Sequence, residues 1–287
     1  KHIKYFLRFI KQKHPECTTL KGAKKYVNEW LQSRADEELS AWTVQLEAKA
    51  LGKLYGIEPD DEDYFKPPKR NREDIKRSRS DCVRDEHFSK TNNDELIKFC
   101  RGTGLRRREL GELRGKDLVR CEQIAADAAQ LEQIPEEERA PSVTKRLEML
   151  RDAMLFPQEW FVHVRNGKGG RERLSPIIGK NAAQIVERIA DTPAEEKVWQ
   201  HVHTSADIHA YRAEYATAIY KAYARPIGEI PYDRVNKGTG KRFQGDVYTC
   251  RKDEAGKKLD KAAMLLCSKA LGHNRISVVA DNYIRGL

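Results

Sequence analysis

The sequence predicts a mainly α-helical protein with a small antiparallel β-hairpin, divided into two domains of unequal size. Three observations carry that expectation. Apolar residues recur at helical spacing through most of the chain. One interval, Phe161-Val162-His163-Val164-Arg165, alternates like a strand; Asn166-Gly167 then signals a hairpin, and Arg171-Glu172-Arg173-Leu174-Ser175 can return antiparallel. The length of 287 residues also exceeds what one small domain needs.

Taken in order, Ile3, Phe6, Leu7 and Ile10 fall on one helical face, and Ala23, Tyr26, Val27, Trp30 and Leu31 on another. A third helix is expected from about 39 to 55, with Trp42, Leu46, Ala50 and Leu54 as its stripe and Gly56 as its C-cap. Residues 1–65 therefore read as a small helical bundle whose aromatics belong to its core. Residues 66–90 break the pattern. The run Lys66-Pro67-Pro68-Lys69-Arg70-Asn71-Arg72, followed by Lys76, Arg77 and Arg79, has no apolar period and reads as a basic interdomain linker. Such a run is ordinarily a solvated segment; it fits equally along a DNA backbone, because Lys and Arg contribute sequence-independent phosphate affinity.

Order returns in a second domain, residues 91–287, at Asn93-Asp94-Glu95-Leu96, the pattern of a capped helix start. A charged, Ala/Leu/Glu-rich helical stretch follows from about 121 to 155, interrupted near Pro135 and Pro141. Beyond the hairpin the chain reads as helical, except for a Gly- and Lys-rich interval between about 225 and 260.

Composition narrows the functional classes. Lys and Arg number 54 against 44 Asp and Glu, a formal charge of +10. That excess points to a polyanionic partner, most often nucleic acid, though a merely basic surface has the same composition. Six cysteines lie scattered without a CxxC pair or a histidine at zinc-finger spacing, the pattern of reduced thiols in a cytosolic protein. No apolar run is long enough to span a membrane and no signal-peptide pattern opens the chain. The first residue is not Met, which suggests a fragment of a longer protein.

Five short features could carry chemistry. In Thr103-Gly104-Leu105-Arg106-Arg107-Arg108-Glu109-Leu110, Gly104 lets the chain turn and Arg106 opens the next helix. A helix start with a guanidinium suits a phosphate; an amphipathic helix with a basic face accounts for the same residues. Arg165-Asn166-Gly167-Lys168-Gly169-Gly170-Arg171 lacks the P-loop spacing and reads as a hairpin tip projecting Lys168, or as an ordinary tight hairpin. His209 and Arg212, three apart, share a helix face at roughly 5–6 Å between Cβ atoms and can reach one anion; the same spacing also arises on ordinary surfaces. In Ala270-Leu271-Gly272-His273, Gly272 can end a helix begun near Lys261. Ser277 can start a last helix carrying Tyr283, a position that packing explains as readily as chemistry.

The order and identity of the five together resemble the tyrosine recombinase (phage integrase) family, over about 93 to 283. That family carries an Arg in a TGLR-type motif, a hairpin Lys, an H-x-x-R pair, an LGH motif and then a Tyr nucleophile. The segment before it looks like the family's core-binding domain. The resemblance implies a mobile-element integrase, a site-specific recombinase that acts on a double-stranded DNA recombination site as a homo-tetramer on two sites. It implies no cofactor, no metal and no membrane, and a cytoplasmic location on the DNA, in the nucleoid or in a host cell. Tyr283 would attack the scissile phosphate, forming a 3′-phosphotyrosyl bond and releasing a 5′-hydroxyl; the 5′-hydroxyl of a partner strand would then attack that bond and free the tyrosine. A phenol is normally protonated at neutral pH, so the attack needs assistance. Arg106 and Arg212 would hold the non-bridging oxygens, Lys168 would protonate the leaving 5′-oxygen, His209 would assist proton transfer, and His273 would hydrogen-bond the phosphate. Glu109, one turn after Arg106, is expected to orient the arginines. Lys69, Arg70, Arg72, Lys76, Arg77 and Arg107 are the expected DNA contacts.

Two departures from the family pattern are visible: a helical insertion after Asp117 and a long interval between Arg212 and His273. Two rival readings remain. Type IB topoisomerases resemble the family in their catalytic groups, and a non-catalytic DNA-binding protein could retain a degenerate integrase domain.

Overall fold

The structure of the protein is a computed structural model that describes residues 2–70, 88–230, 245–251, 254–273 and 275–284. Its contacts separate two compact units, Lys1–Arg77 and Ser78–Leu287. Both the helical character and the small antiparallel sheet expected from the sequence are present.

The first unit contains α1 (His2–Lys13), a 3-10 turn (Gly22–Tyr26) that runs into α2 (Val27–Asp36), and α3 (Ala41–Tyr55). Phe6, Ile10, Ala23, Val27, Trp30, Leu31, Ala48 and Leu51 form its core, and each large apolar side chain there contributes on the order of 1.5–3 kcal/mol before chain entropy is charged against it. Gly56 ends α3 at φ 63°, as its position predicts.

Two stripes differ from expectation. Leu7 is exposed. In α3 the inward face carries Val44, Glu47, Ala48 and Leu51, while Leu46 is 52% exposed. Both faces of α3 have helical periodicity, and the charged Glu47 disguised the true one. Its carboxylate is buried, with Arg34 Nε at 3.2 Å and His2 Nδ1 at 3.4 Å, and paired in this way a carboxylate can enter a core. The start of the expected linker also belongs to this unit. Gln45 Nε2 donates to the Pro68 carbonyl at 3.0 Å, and the Arg70 guanidinium lies over the Trp42 ring, 5.5 Å from its centroid. Lys69 is exposed. Arg72, Lys76 and Arg77 lie outside the described residues.

The second unit opens with Phe88, expected in the linker but packed against the core, its ring 5.1 Å from that of His203. Helix α4 (Asp94–Thr103) follows; Asn93 occupies the cap position, but its side-chain amide donates to the Ser89 carbonyl rather than capping the helix. Then come α5 (Arg107–Glu112), β1 (Leu118–Arg120), α6 (Cys121–Glu132), α7 (Pro141–Ala153), β2 (Trp160–Val164), β3 (Arg173–Pro176), α8 (Ala182–Ala190), α9 (Ile208–Tyr223), β4 (Val247–Thr249), β5 (Lys258–Asp260), α10 (Lys261–Leu271) and α11 (Ile276–Asn282).

Strands β1, β2 and β3 form one antiparallel sheet in that order, with Val162 opposite Leu118 on one side and Ser175 on the other. β4 and β5 form a separate antiparallel pair within the interval expected to be irregular. The helical insertion after Asp117 is therefore α6 and α7, placed between two strands that are neighbours in the sheet. The period-2 alternation of β2 divides the unit's interior. Phe161 enters a core with Leu150, Tyr215, Met264 and Leu271, whereas Val162 and Val164 enter another with Phe99, Leu110 and Trp199.

The hairpin turns later than Asn166-Gly167 predicts. The register pairs Val164 with Arg173, and the positive φ values fall at Gly169 (75°) and Gly170 (73°), so Lys168 and these two glycines make the tip. Gly104 combines both demands that only glycine meets here. Its φ is 61°, and a Cβ would sit 2.2 Å from the buried Tyr215 ring. Gly104→Ala is expected to destabilise the unit by about 3 kcal/mol, the sum of left-handed strain and overpacking, in urea unfolding. A loss below about 1 kcal/mol would mean that Tyr215 can move aside, against its tight packing.

Candidate active site

The connection between α4 and α5 places the first guanidinium. Arg106 is the cap residue of α5, its backbone extended, and its N–H donates to Glu109 Oε2 at 2.8 Å. Arg106 Nη1 donates to Glu109 Oε1 at 2.6 Å and Nη2 to the Leu271 carbonyl at 3.3 Å. Because α5 has only six residues, the guanidinium of Arg106 rather than the helix end is the group that could meet an anion.

Glu109 does what its position predicts, but it orients one arginine that sequence reasoning missed. Arg173, on β3, donates to both Glu109 oxygens (3.0 and 2.7 Å) and through Nε to the Ala270 carbonyl at 3.1 Å. Arg173 and Glu109 are each 5% exposed. Burial pulls the Glu109 pKa upward, yet the hydrogen bonds and charge of Arg173, with Arg212 and the Arg106 N–H, hold it down at about 2. Only the strand's alternation signalled Arg173. It occupies the inward register opposite Val164, and a Cβ on Gly272 would meet its Cδ at 2.9 Å.

Helix α9 supplies the expected His209 and Arg212 on one face. Arg212 is 2% exposed and is held by the backbone carbonyls of Gly104 and Leu271 through Nη1 and Nη2. Its Nε lies 3.4 Å from the Tyr283 hydroxyl. Burial, with repulsion from Arg173, lowers its pKa to about 10, so it stays charged at neutral pH. Leu271 O thus accepts from both Arg106 and Arg212. Three of five N–H donors on Arg212 have described acceptors, which leaves two for an anion.

Gly272 ends α10 at φ 67°, and His273 follows in the turn, its carbonyl accepting from Ser268 Oγ at 3.0 Å. Helix α11 begins at Ile276, one residue before the expected Ser277, and Tyr283 is its C-cap residue rather than a helical one. Its phenol, 6% exposed, stacks on the exposed His209 ring (5.1 Å between centroids, 9° between planes) and lies 5.2 Å from the His273 ring. Nε2 of His273 is buried and has no hydrogen-bond partner among the described residues. Lys168 is exposed at the hairpin tip, near enough for its charge to act on His273.

His209, Arg212 and His273 therefore meet at one phenol; Arg106 shares the Leu271 carbonyl with Arg212, Glu109 ties Arg106 to Arg173, and Lys168 stands at the hairpin tip. Arg107 goes elsewhere. Its guanidinium donates to the carbonyls of Val202, His203 (2.6 Å) and Ala206, and so fixes the loop that leads into α9 instead of facing a DNA backbone.

Burial and the surrounding cations, Arg212 first among them, bring the His273 pKa down to about 3 from its ordinary 6.5. The unfolded chain takes up a proton there as pH falls below 6.5, whereas the folded chain does so only near 3. The contribution of His273 to stability is thus constant above that window and is lost progressively as pH falls through it. His163, buried beside Glu172, shifts the same way. The melting temperature of a His273→Asn variant should fall less steeply than the native one as pH drops through the window. Parallel curves would contradict the buried, cation-flanked setting of His273.

Among the described residues no three His, Cys, Asp or Glu side chains are grouped to hold a metal ion, and no helix is long and apolar enough to cross a membrane. Neither models of known protein families nor the curated proteins returned a match to this chain.

Proposed function

We propose that the chain is a tyrosine-type site-specific DNA recombinase, an integrase of a mobile element. In this reading Tyr283 forms a 3′-phosphotyrosyl bond and a 5′-hydroxyl from a partner strand later reverses it. The observation that carries the reading is the convergence of Arg106, His209, Arg212 and His273 on the Tyr283 phenol, from segments spread over most of the second unit. Packing alone does not call for two guanidiniums tied to a common carbonyl beside a phenol, nor for a buried imidazole nitrogen without a partner among the described residues. Both features fit a site built for an anion.

The residue roles are those that the family resemblance implies. The phosphate enters beside Tyr283 Oη, and the remaining donors of Arg106 and Arg212 take its non-bridging oxygens. They neutralise charge that grows in the pentacoordinate transition state. His273 Nε2 completes its hydrogen bonding on the same group. His209, stacked on the phenol and open to solvent, accepts or relays the Tyr283 proton. Lys168 gives a proton to the departing 5′-oxygen. The second unit serves as the catalytic domain and the first as the core-binding domain, and the working assembly is a homo-tetramer on two double-stranded sites. Because the phenol packs against the arginines of its own chain, the reading favours cleavage in cis.

Lys168→Ala provides the test. Covalent protein–DNA adducts are captured from a randomised library of nicked duplexes in strong detergent. The variant is expected to form them about 10²–10⁴ times more slowly than the native chain, the usual contribution of a positioned general acid. A substrate whose bridging 5′-oxygen is replaced by sulfur, a better leaving group, should restore the rate. Native protein that yields no adduct from the library would refute the recombinase reading and leave a DNA-binding protein without catalysis. Slow cleavage without sulfur rescue would remove only the acid role of Lys168. Relaxation of supercoiled DNA by a monomer, without strand exchange between sites, would favour the topoisomerase-like alternative.

A further inference from the structure

Beside the candidate active site, α7 and the β2–β3 turn enclose a cleft of about 700 Å³ that runs to His273 and Gly272. One wall belongs to the inserted helices. The cleft meets the group that surrounds Tyr283 at His273, and its α7 wall belongs to none of the five sequence features.

We propose that this cleft binds the phosphate backbone of the DNA strand continuing past the scissile phosphate on the 5′-hydroxyl side. The proposal rests on the recombinase reading for the identity of that strand. Its wall is braced. Arg146 of α7 reaches Asp127 of α6 at 3.5 Å and Glu172 of the turn at 3.1 Å, and Glu172 also meets the buried His163 Nε2 at 2.5 Å. Lys269 of α10 pairs with Asp152 of α7. The insertion therefore holds a defined distance from the hairpin that carries Lys168, with both its ends anchored in adjacent strands.

Charge selects the occupant. Five cationic side chains line the cleft against three carboxylates. Arg146, Arg173 and Lys269 are neutralised by ion pairs within the protein. Lys145 and Arg171 are exposed, with no ion pair among the described residues, against a single such carboxylate, Glu148. The turn side offers no bulk: a Cβ at Gly169 or Gly170 would have open space around it, so a backbone can approach closely. Lys168 adjoins these two glycines at the tip of the turn, so in the recombinase reading a strand seated here leads to the lysine assigned to the leaving 5′-oxygen. The two unpaired cations, one on α7 and one on the turn, offer two phosphate contacts.

The test is binding of a random-sequence fluorescent duplex by the full chain over a range of salt. Lys145→Ala/Arg171→Ala removes two phosphate contacts, so the slope of log affinity against log salt should shrink by about 2 units, at roughly 0.9 per phosphate. Glu148→Gln, which removes the unpaired carboxylate, should tighten binding. Both positions are exposed, and an unchanged melting temperature confirms that the variants fold. An unchanged slope and affinity in the double variant would overturn the cleft assignment, as would weaker binding in Glu148→Gln. Adduct capture is scored separately with native protein. No adduct but a reduced slope would retain the DNA cleft and reject the recombinase; adduct with an unchanged slope would do the reverse.

Discussion

Tyr283→Phe should abolish covalent attachment to DNA while leaving DNA binding intact. Phenylalanine keeps the ring that stacks on His209 and fills the core beside Ile284, so little packing is lost. The hydroxyl's one described bond, from Arg212 Nε at 3.4 Å, is long and contributes little to stability. What disappears is the nucleophile of the proposed mechanism. The rate of adduct formation should drop by at least about 10⁴-fold, since a covalent mechanism has no substitute for its attacking atom. Detergent-resistant capture measures the first effect and fluorescence anisotropy the second. A 3′-phosphotyrosyl adduct formed by the variant would assign the chemistry to another tyrosine and dissolve the site as described. Tyr215, the other buried tyrosine near these arginines, is the obvious rival. Its hydroxyl is committed to the Pro176 carbonyl at 2.8 Å and to Ser175, and burial pushes its pKa upward.

The second large effect concerns stability. Glu109→Ala leaves Arg173 as a buried cation with one carbonyl contact and unties Arg106 from the same carboxylate. Breaking a buried pair from one side costs about 3–5 kcal/mol, mostly the desolvation of the stranded charge. For a unit of this size that lowers the melting temperature by roughly 10–15 °C. Glu109→Leu combined with Arg173→Met should recover most of the loss, because an apolar pair strands no charge. Recovery of stability without recovery of adduct formation would separate the two roles of the carboxylate, holding the fold and aiming Arg106. If the single variant melts within about 2 °C of the native protein, the Arg173–Glu109 pair is not the buried anchor described above.

Much of the site was legible in the sequence because its parts are local. Gly104, Gly272 and Gly56 announced helix ends through a conformation other residues avoid, and all three have positive φ. The spacing of His209 and Arg212 is a helical spacing, and α9 keeps it. Legibility failed where two local readings were equally good. The residues of α3 offered two stripes of the same period, and the choice fell to the neighbours that neutralise Glu47. Asn166-Gly167 is a strong hairpin signal, but the register of β2 on β3 moved the tip to Lys168, Gly169 and Gly170. The basic run from 66 reads as solvated by composition, and Lys66, Lys69 and Arg70 are exposed, but the contact of Arg70 with the Trp42 ring had no sequence signal.

The sequence by itself determined the helical class, the strand that alternates, the order of the five features and Tyr283 as the nucleophile to propose. Those properties depend on periodicity and backbone preference, which act within a few residues. Only the tertiary structure decided that Arg173 supports Glu109, that Arg107 faces a loop rather than a ligand, and that the phenol packs against the arginines of its own chain. It also turned the insertion after Asp117 into a cleft wall. Each of those depends on which distant groups must share a burial site, and the cost of burying a charge unpaired selects the partner. Periodicity carries no record of that cost.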